Sequence, residues 1–336
     1  MSGLVVHPHF HGRRTGVTRH VESVIPELAR SMEAAVVGYG LERGIPRIGW
    51  GQLLRRVRRE PVIWHAHRNV EAAVGLLLRW AAPTMRVVYT RHAATPPSRY
   101  TRWLMDKVDR RVALTPEIAL TLGRPADVVS HGVSLKTFHP PAKRDAAWRE
   151  LGLGGKHGIG VLGRVRPAKG QGDFVEAAAP LLHRYPDWTG AVVGKVKAGE
   201  ARWVAGLRAR AGGRLRFIPE QSDVLPWYRG LSILVHPSHS EGFSLVHLEA
   251  LASGCCVVAS ALPYVPSLIE HGRTGFLYPP GDVGALTEVL EPLLQEPERA
   301  EAVGRAAAEA ARPKLGLEQE AASLASVYRS VLDPHP

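Results

Sequence analysis

The chain has 336 residues, 45% hydrophobic and 22% charged, with 43 Lys+Arg against 31 Asp+Glu. That size suits two domains with cores of their own, and the composition excludes a disordered or fibrous chain. The two cysteines, Cys255 and Cys256, are adjacent, which excludes a disulfide framework and fits a reducing cytoplasm.

Short β-type runs alternate with helical stretches from the start. Strands are predicted at 4–7, 35–39, 62–65, 86–90, 111–114 and 127–129, and a second series at 158–162, 189–193, 215–218, 233–235, 256–259 and 275–277. Apolar-periodic helices lie between them, as at 21–31, 174–185 and 246–252. Such alternation predicts parallel sheets covered by helices on both faces. Pro140-Pro141 stops regular structure and a new helix starts near Asp145, so the domain boundary is expected at 140/141. The opening run Met1-Ser2-Gly3-Leu4-Val5-Val6-His7 reads as a strand rather than a signal peptide. The most apolar stretch, 72–82, is too short to span a bilayer and contains Arg79, so a cytoplasmic location is expected. Only the tail Asp333-Pro334-His335-Pro336 is expected to be disordered.

The charge is uneven. Residues 1–150 hold 24 Lys+Arg and 12 Asp+Glu, residues 151–336 hold 19 of each, so the whole excess of +12 lies in the first half. A basic domain beside a neutral one suggests an anionic partner: an acidic lipid surface, a phosphorylated acceptor or nucleic acid. Cys255 and Cys256 read as small buried hydrophobes on opposite faces of a strand, not as a metal pair.

Ligands of open α/β sheets bind beyond the carboxyl ends of the strands. One such loop is Pro237-Ser238-His239-Ser240-Glu241-Gly242-Phe243-Ser244, ahead of a helix predicted to start near Phe243 and to end at Gly254. The amides of Gly242, Phe243 and Ser244 then face outward at a helix start, which favours an anion such as a pyrophosphate. Glu241 and Glu249 lie about 12 Å apart at helical rise, too far for a retaining-glycosidase pair at about 5–5.5 Å. They suit the two ends of an elongated ligand; on spacing alone, two solvated glutamates compete with that reading. A second loop, Gly163-Arg164-Val165-Arg166-Pro167-Ala168-Lys169-Gly170, offers Arg164 as a fork and Lys169 as a point charge for phosphates. The run Gly158-Ile159-Gly160-Val161-Leu162-Gly163 matches a dinucleotide fingerprint, but it lies inside the strand and Pro167 stands where a helix should open.

The first loop, His11-Gly12-Arg13-Arg14-Thr15-Gly16-Val17-Thr18-Arg19, lets backbone approach a ligand. His7, His9 and His11 alternate along one strand face; with no carboxylate or thiolate nearby in sequence they read as cleft or core histidines rather than metal ligands. Tyr89-Thr90-Arg91-His92 and Trp64-His65-Ala66-His67-Arg68-Asn69 place further histidines at strand ends. The sequence has no Asp-x-Asp triplet to bridge phosphates through a divalent metal.

In this order the motifs resemble glycosyltransferase family 4, retaining enzymes of the α/β GT-B fold, with two doubly wound Rossmann-like domains facing across a cleft. The likeness spans nearly the whole chain and is strongest over 158–282. It rests on Glu241…Glu249, on Gly163-Arg164…Lys169-Gly170, and on Gly272-Arg273-Thr274-Gly275-Phe276. The interdomain signature appears as His131-Gly132-Val133-Ser134…Phe138-His139-Pro140, with His131 and Ser134 departing from the usual residues. The resemblance implies an acceptor domain at 1–140, joined by a returning helix at 317–336, and a donor domain at 141–316. It implies that Arg164 and Lys169 hold the donor pyrophosphate, Glu249 the ribose, and Glu241 the transferred hexose. It places His92 against the sugar and Gly16 over the phosphates. The reaction would run on one face of the sugar, with no metal, no other cofactor and no protein nucleophile.

Within the family, Trp64-His65-Ala66-x-Arg68-Asn69, Arg164-Val165-Arg166-x-x-Lys169-Gly170 and Arg184-Tyr185-Pro186-Asp187-Trp188 are similar to mannosyltransferases of bacterial lipopolysaccharide core assembly. GDP-mannose as donor and an anionic glycolipid such as a lipopolysaccharide precursor as acceptor are then implied, with His65, Arg68 and Asn69 facing the acceptor. A peripheral contact of the basic half with the inner-membrane surface goes with that reading. Transfer from a UDP-sugar to a polysaccharide or small acceptor is the alternative enzyme. A basic nucleic-acid or membrane-binding module is the non-enzymatic alternative, but the sequence lacks an interleaved basic–aromatic platform and no nucleic-acid partner is expected.

Overall fold

A computed structural model of the chain describes residues 3–12 and 15–333. Arg13 and Arg14 of the first basic loop, and Pro334-His335-Pro336 of the tail expected to be disordered, lie outside the described residues.

The chain divides into two units. The first comprises residues 1–132 and 315–336, the second residues 133–314. The first contains β1 (Leu4–Phe10), α1 (Gly16–Leu28), β2 (Ala34–Tyr39), α2 (Trp50–Arg56), β3 (Val62–Ala66) and α3 (Asn69–Ala81). It continues with β4 (Arg86–Arg91), α4 (Arg99–Lys107), β5 (Arg110–Ala113), α5 (Pro116–Leu122) and β6 (Asp127–Val128). The second contains α6 (Arg144–Glu150), β7 (His157–Leu162), α7 (Gln171–Arg184), β8 (Trp188–Val193), α8 (Ala201–Arg210), β9 (Leu215–Ile218) and α9 (Leu225–Gly230). It ends with β10 (Leu231–His236), α10 (Leu245–Ala252), β11 (Cys256–Ser260), β12 (Phe276–Tyr278), α11 (Val283–Gln295) and α12 (Pro297–Ala311). The last helix, α13 (Leu317–Leu332), belongs to the first unit.

Each unit is a six-stranded sheet, ordered β2-β1-β3-β4-β5-β6 in the first and β12-β11-β10-β7-β8-β9 in the second. Neighbouring strands pair in parallel throughout. Apolar runs such as Val62-Ile63-Trp64 and Cys256-Val257-Val258 are fully buried, as strands covered on both faces require. Strand order reverses between β1 and β3 in the first sheet and between β10 and β7 in the second. These are the switch points where open α/β sheets leave a crevice for ligands.

Local signals explain where elements differ from the sequence reading. α1 starts at Gly16, not near Val21, because Thr15 and Thr18 form a reciprocal capping box. The expected boundary was 140/141, whereas the units divide at Gly132/Val133. Pro140 packs on Gly254 of the second unit, 3.0 Å from where a Cβ at Gly254 would stand. α13 presents Ala321, Leu324, Val327, Tyr328 and Val331 to the first unit's core of Val21, Val24, Ile25 and Leu28. This is the amphipathic stripe of a surface helix. Counted by unit, the first carries 21 Lys+Arg against 13 Asp+Glu and the second 22 against 18, so the basic excess leans to the first without being confined to it.

Candidate functional site

In the second unit the switch-point strands β7 and β10 lie side by side, and both motif loops follow them. A single 3-10 turn, Pro167–Lys169, opens the loop after β7. Gly170 closes that turn at φ +68, and a Cβ there would lie 1.8 Å from the Pro237 carbonyl oxygen. Only glycine admits that approach. The His239 amide donates to the Ala168 carbonyl at 3.1 Å, a second stitch between the loops.

This contact brings Lys169 against Glu241 as an ion pair, with side chains 21% and 15% exposed. Ser238 Oγ reaches toward the same carboxylate oxygen at 3.4 Å. Burial, followed by repulsion from Arg166 and Arg164, pushes the Lys169 ammonium down to about 8. Arg166 Nε is buried and makes no hydrogen bond. Lys169 thus pairs with Glu241 while two further cations, Arg164 and Arg166, bear on its ammonium, and the buried Arg166 Nε keeps donor capacity in reserve.

Glu249, on α10, is only 6% exposed. Its Oε2 accepts from the Tyr228 hydroxyl at 2.6 Å, and the Tyr228 ring stands edge-on to Phe138. Neither glutamate is the solvated surface residue that spacing alone allows. α10 starts at Leu245, two residues later than expected. Ser244 precedes it in extended backbone, and its hydroxyl pairs with His236 Nε2 at 3.1 Å instead of capping the helix. Gly242, Phe243 and Ser244 thus belong to the loop rather than the helix.

Beneath this loop the His236 and His247 ring centroids lie 4.1 Å apart with their planes tilted. His247 Nδ1 pairs with the Tyr264 hydroxyl at 3.2 Å, and Tyr264 packs on Phe243. Burial holds His247 at about 3 and His236 well below its usual value, with Lys169 repelling both. These neutral imidazoles form a support that the sequence reading missed. Two of the apparent fingerprint glycines have a packing role: a Cβ at Gly158 would lie 2.4 Å from the Trp148 ring, and one at Gly160 would lie 2.9 Å from the Ala191 carbonyl oxygen.

The first unit gathers histidines at its own switch point. A chain of five hydrogen bonds runs from Thr90 Oγ1 to His65 Nε2 (2.6 Å), and from His65 Nδ1 to the Tyr328 hydroxyl (2.5 Å). It continues from that hydroxyl to His7 Nε2 (3.1 Å), from His7 Nδ1 to His67 Nε2 (2.9 Å), and from His67 Nδ1 to His92 Nε2 (3.1 Å). Burial pushes His7 down to about 3 and His65, His67 and His92 well below the ordinary histidine range, with neighbouring imidazoles adding repulsion. His92 is the partly exposed end of this chain. His65 is 1% exposed with both ring nitrogens engaged, so it supports the site from beneath. Asn69 accepts from Tyr89 and donates to Thr101, and Arg68 donates to Thr15 at 3.0 Å. Gly16 is exposed at the first turn of α1.

His7, His9 and His11 do not gather as one group, although the His9 and His11 ring centroids lie 3.9 Å apart. His7 turns to His67 and Tyr328, and His9 to the Tyr39 carbonyl and Thr18. Among the described residues two other groups bring three ligand atoms within 4.8 Å of one another, His7-His65-His67 and His20-His131-Glu320. The sequence reading assigned no role to His20, His131, Glu320 or Tyr328. The strand-end histidines signalled part of the cluster, but nothing local links α13 to it.

Comparison with known proteins agrees with this geometry. Residues 156–296, which hold both motif loops, match the family described as glycosyl transferases group 1. The lipopolysaccharide core biosynthesis mannosyltransferase LpcC of Rhizobium leguminosarum bv. viciae is 37% identical over 98% of this chain and 96% of its own length. The lipopolysaccharide core biosynthesis mannosyltransferase LpsB of Rhizobium meliloti is 31% identical over 98% and 97%. The crystal structure of Anabaena Alr3699/HepE in complex with UDP and glucose shares the fold, with TM-score 0.82 at 18% identity over 98% of this chain and 100% of that one. The fold is thus GT-B, and the chain belongs to the group 1 glycosyltransferases.

Proposed function

We propose that the chain is a retaining glycosyltransferase of family 4 that moves mannose from GDP-mannose to an anionic glycolipid of the lipopolysaccharide-core type. The observation that carries the donor site is the Gly170–Pro237 approach, which sets Lys169, Arg164 and Glu241 together at the switch point. The choice of sugar and acceptor is supported by the full-length likeness to the two Rhizobium mannosyltransferases.

In this reading Lys169 and Glu241 hold each other until the donor arrives. The diphosphate then takes Lys169 and Arg164, and Glu241 turns to the hexose hydroxyls. Glu249, one oxygen fixed by the Tyr228 hydroxyl, binds the ribose. Gly242, Phe243 and Ser244 offer loop amides, and Gly16 lets the loop before α1 close over the phosphates. The bond from the anomeric carbon to the phosphate oxygen breaks while the acceptor oxygen bonds on the same face, and the acceptor proton passes to the leaving phosphate. Arg164 and Lys169 stabilise the charge that develops there, so no metal bridge or other cofactor is called for. His92 lies against the sugar. Arg68 and Asn69 face the acceptor, and His65 acts through the hydrogen bonds it makes.

A peripheral membrane contact is proposed for the first unit. Among the described residues no helix is long and apolar enough to cross a membrane. The exposed large hydrophobic side chains nevertheless fall in this basic unit, including Trp80 (88%), Leu77 (71%) and Trp103 (54%). Leu77 and Trp80 lie on α3, and Tyr100 and Trp103 stack on α4 beside Arg99 and Arg102. Apolar rings with flanking cations suit an anionic lipid surface. Binding to vesicles containing phosphatidylglycerol should fall several-fold in Leu77→Ser/Trp80→Ser.

The test of donor and acceptor is transfer to a lipopolysaccharide-core acceptor from GDP-mannose, UDP-glucose and UDP-N-acetylglucosamine in parallel. Turnover of a UDP-sugar with none of GDP-mannose would replace this reading by the UDP-sugar alternative.

A further inference from the structure

The hydrogen-bonded imidazole chain leaves out a second polar group in the same unit. His20 comes from α1, His131 from the segment after β6, and Glu320 from α13. They are 4%, 6% and 4% exposed. Glu320 Oε2 accepts from the Gly132 amide at 2.7 Å. Its Oε1 lies 3.1 Å from His131 Nδ1 and 3.4 Å from His20 Nδ1. The two imidazole centroids lie 3.8 Å apart with their planes tilted by 38°. His20 Nδ1 is buried and, despite facing the carboxylate, makes no hydrogen bond. A buried polar atom left in that state is destabilising and calls for a cause such as an ion.

We propose that His20 Nδ1, His131 Nδ1 and Glu320 Oε1 bind one divalent transition-metal ion, zinc by preference. Zinc holds imidazole nitrogen and carboxylate oxygen at about 2.0–2.2 Å in a tetrahedron, so two ligand atoms stand about 3.3–3.6 Å apart. The His20 distance to Oε1, 3.4 Å, falls within that range, and the His131 distance, 3.1 Å, lies just below it. The Gly132 amide fixes the other carboxylate oxygen and leaves Oε1 as the single ligand, an outer contact of the kind that orients metal sites. A hydrogen bond alone accounts for His131 but leaves His20 unexplained. The neighbouring His7-His65-His67 group is the competing place, yet all six of its ring nitrogens are already committed to Thr90, Tyr328, His92 or each other. The ion would tie α13 to α1 and to the chain at Gly132. It has no part in the proposed donor chemistry of the second unit.

The experiment uses the full-length untagged protein, stripped with chelator and titrated with Zn(II) and with Co(II). One ion per chain is expected, with the visible absorption of tetrahedral Co(II). Glu320→Gln and His20→Gln should each weaken binding by about 100-fold. X-ray absorption of the zinc-loaded wild type, which requires no variant to fold, should show two imidazoles with oxygen ligands. Absence of stoichiometric uptake overturns the site. So does a three-imidazole zinc environment, or binding that survives Glu320→Gln and is lost in His65→Gln.

Discussion

The two units place charge and polarity in opposite ways. The second holds its cations on strand-end loops, partly open, with one carboxylate among them. The first buries its imidazoles and links them ring to ring until only His92 reaches the surface. In the proposed function the second unit's arrangement is completed by the donor's anion. The Thr90-to-His92 chain is already complete, its polar groups serving one another, while the His20-His131-Glu320 group beside it leaves a buried nitrogen without a hydrogen bond. A residue's type therefore says less about its role than whether its partners lie within the protein.

The largest break in that comparison comes from the second unit. Lys169→Ala and Glu241→Ala should each lower kcat/KM for transfer by about 10³-fold or more, the scale of losing a preorganised charge contact in a closed site. Unchanged circular dichroism should accompany the loss. Retained activity in both would refute the assignment.

Gly170→Ala tests the backbone beneath the same site. It forces a Cβ to 1.8 Å from a carbonyl oxygen at φ +68, so a loss of about 2–4 kcal/mol in denaturant unfolding is expected. Gly206→Ala, on α8 with nothing within 4 Å, should instead gain about 0.5–1 kcal/mol.

Tyr328→Phe probes the completed network of the first unit. Removing one hydroxyl strands both His7 Nε2 and His65 Nδ1, and about 1–3 kcal/mol of stability should go with it. A loss within a few tenths of a kcal/mol would mean that those imidazoles find other partners.

The smallest effect is on pH. Lys169 is charged below about 8 and neutral above it. Its proton, which phosphate needs, is lost as pH rises, so affinity for the nucleoside diphosphate should fall by up to tenfold per unit above pH about 8. Lys169→Arg should flatten that limb, since guanidinium stays charged. Isothermal titration across pH 7 to about 9.5 would show it.

Much of the second unit was legible in advance because its motifs are contiguous. Each loop of about eight residues follows an apolar run, and strand alternation places it at a carboxyl end. The chemistry of Arg164, Lys169, Glu241 and Glu249 could be argued from those positions. What the sequence hid were partners that only packing creates. His236 and His247 lie eleven residues apart on different elements. Tyr328 and Glu320 reach back to partners 321 and 189 residues away. The start of α10 was misplaced because Ser244 spends its hydroxyl on His236, a tertiary contact overriding a local signal.

The Thr90-to-His92 chain has one more property. A neutral imidazole carries a single N–H, so a ring that donates on one side accepts on the other. With the Tyr328 hydroxyl donating within the chain, every bond along His65, Tyr328, His7 and His67 therefore points the same way. Two arrangements exist, and passing between them reverses all five bonds together. Which nitrogen of His92 carries the proton is then fixed together with the orientation of the Thr90 hydroxyl at the far end. The cluster behaves as a single proton-ordered object with one direction to choose.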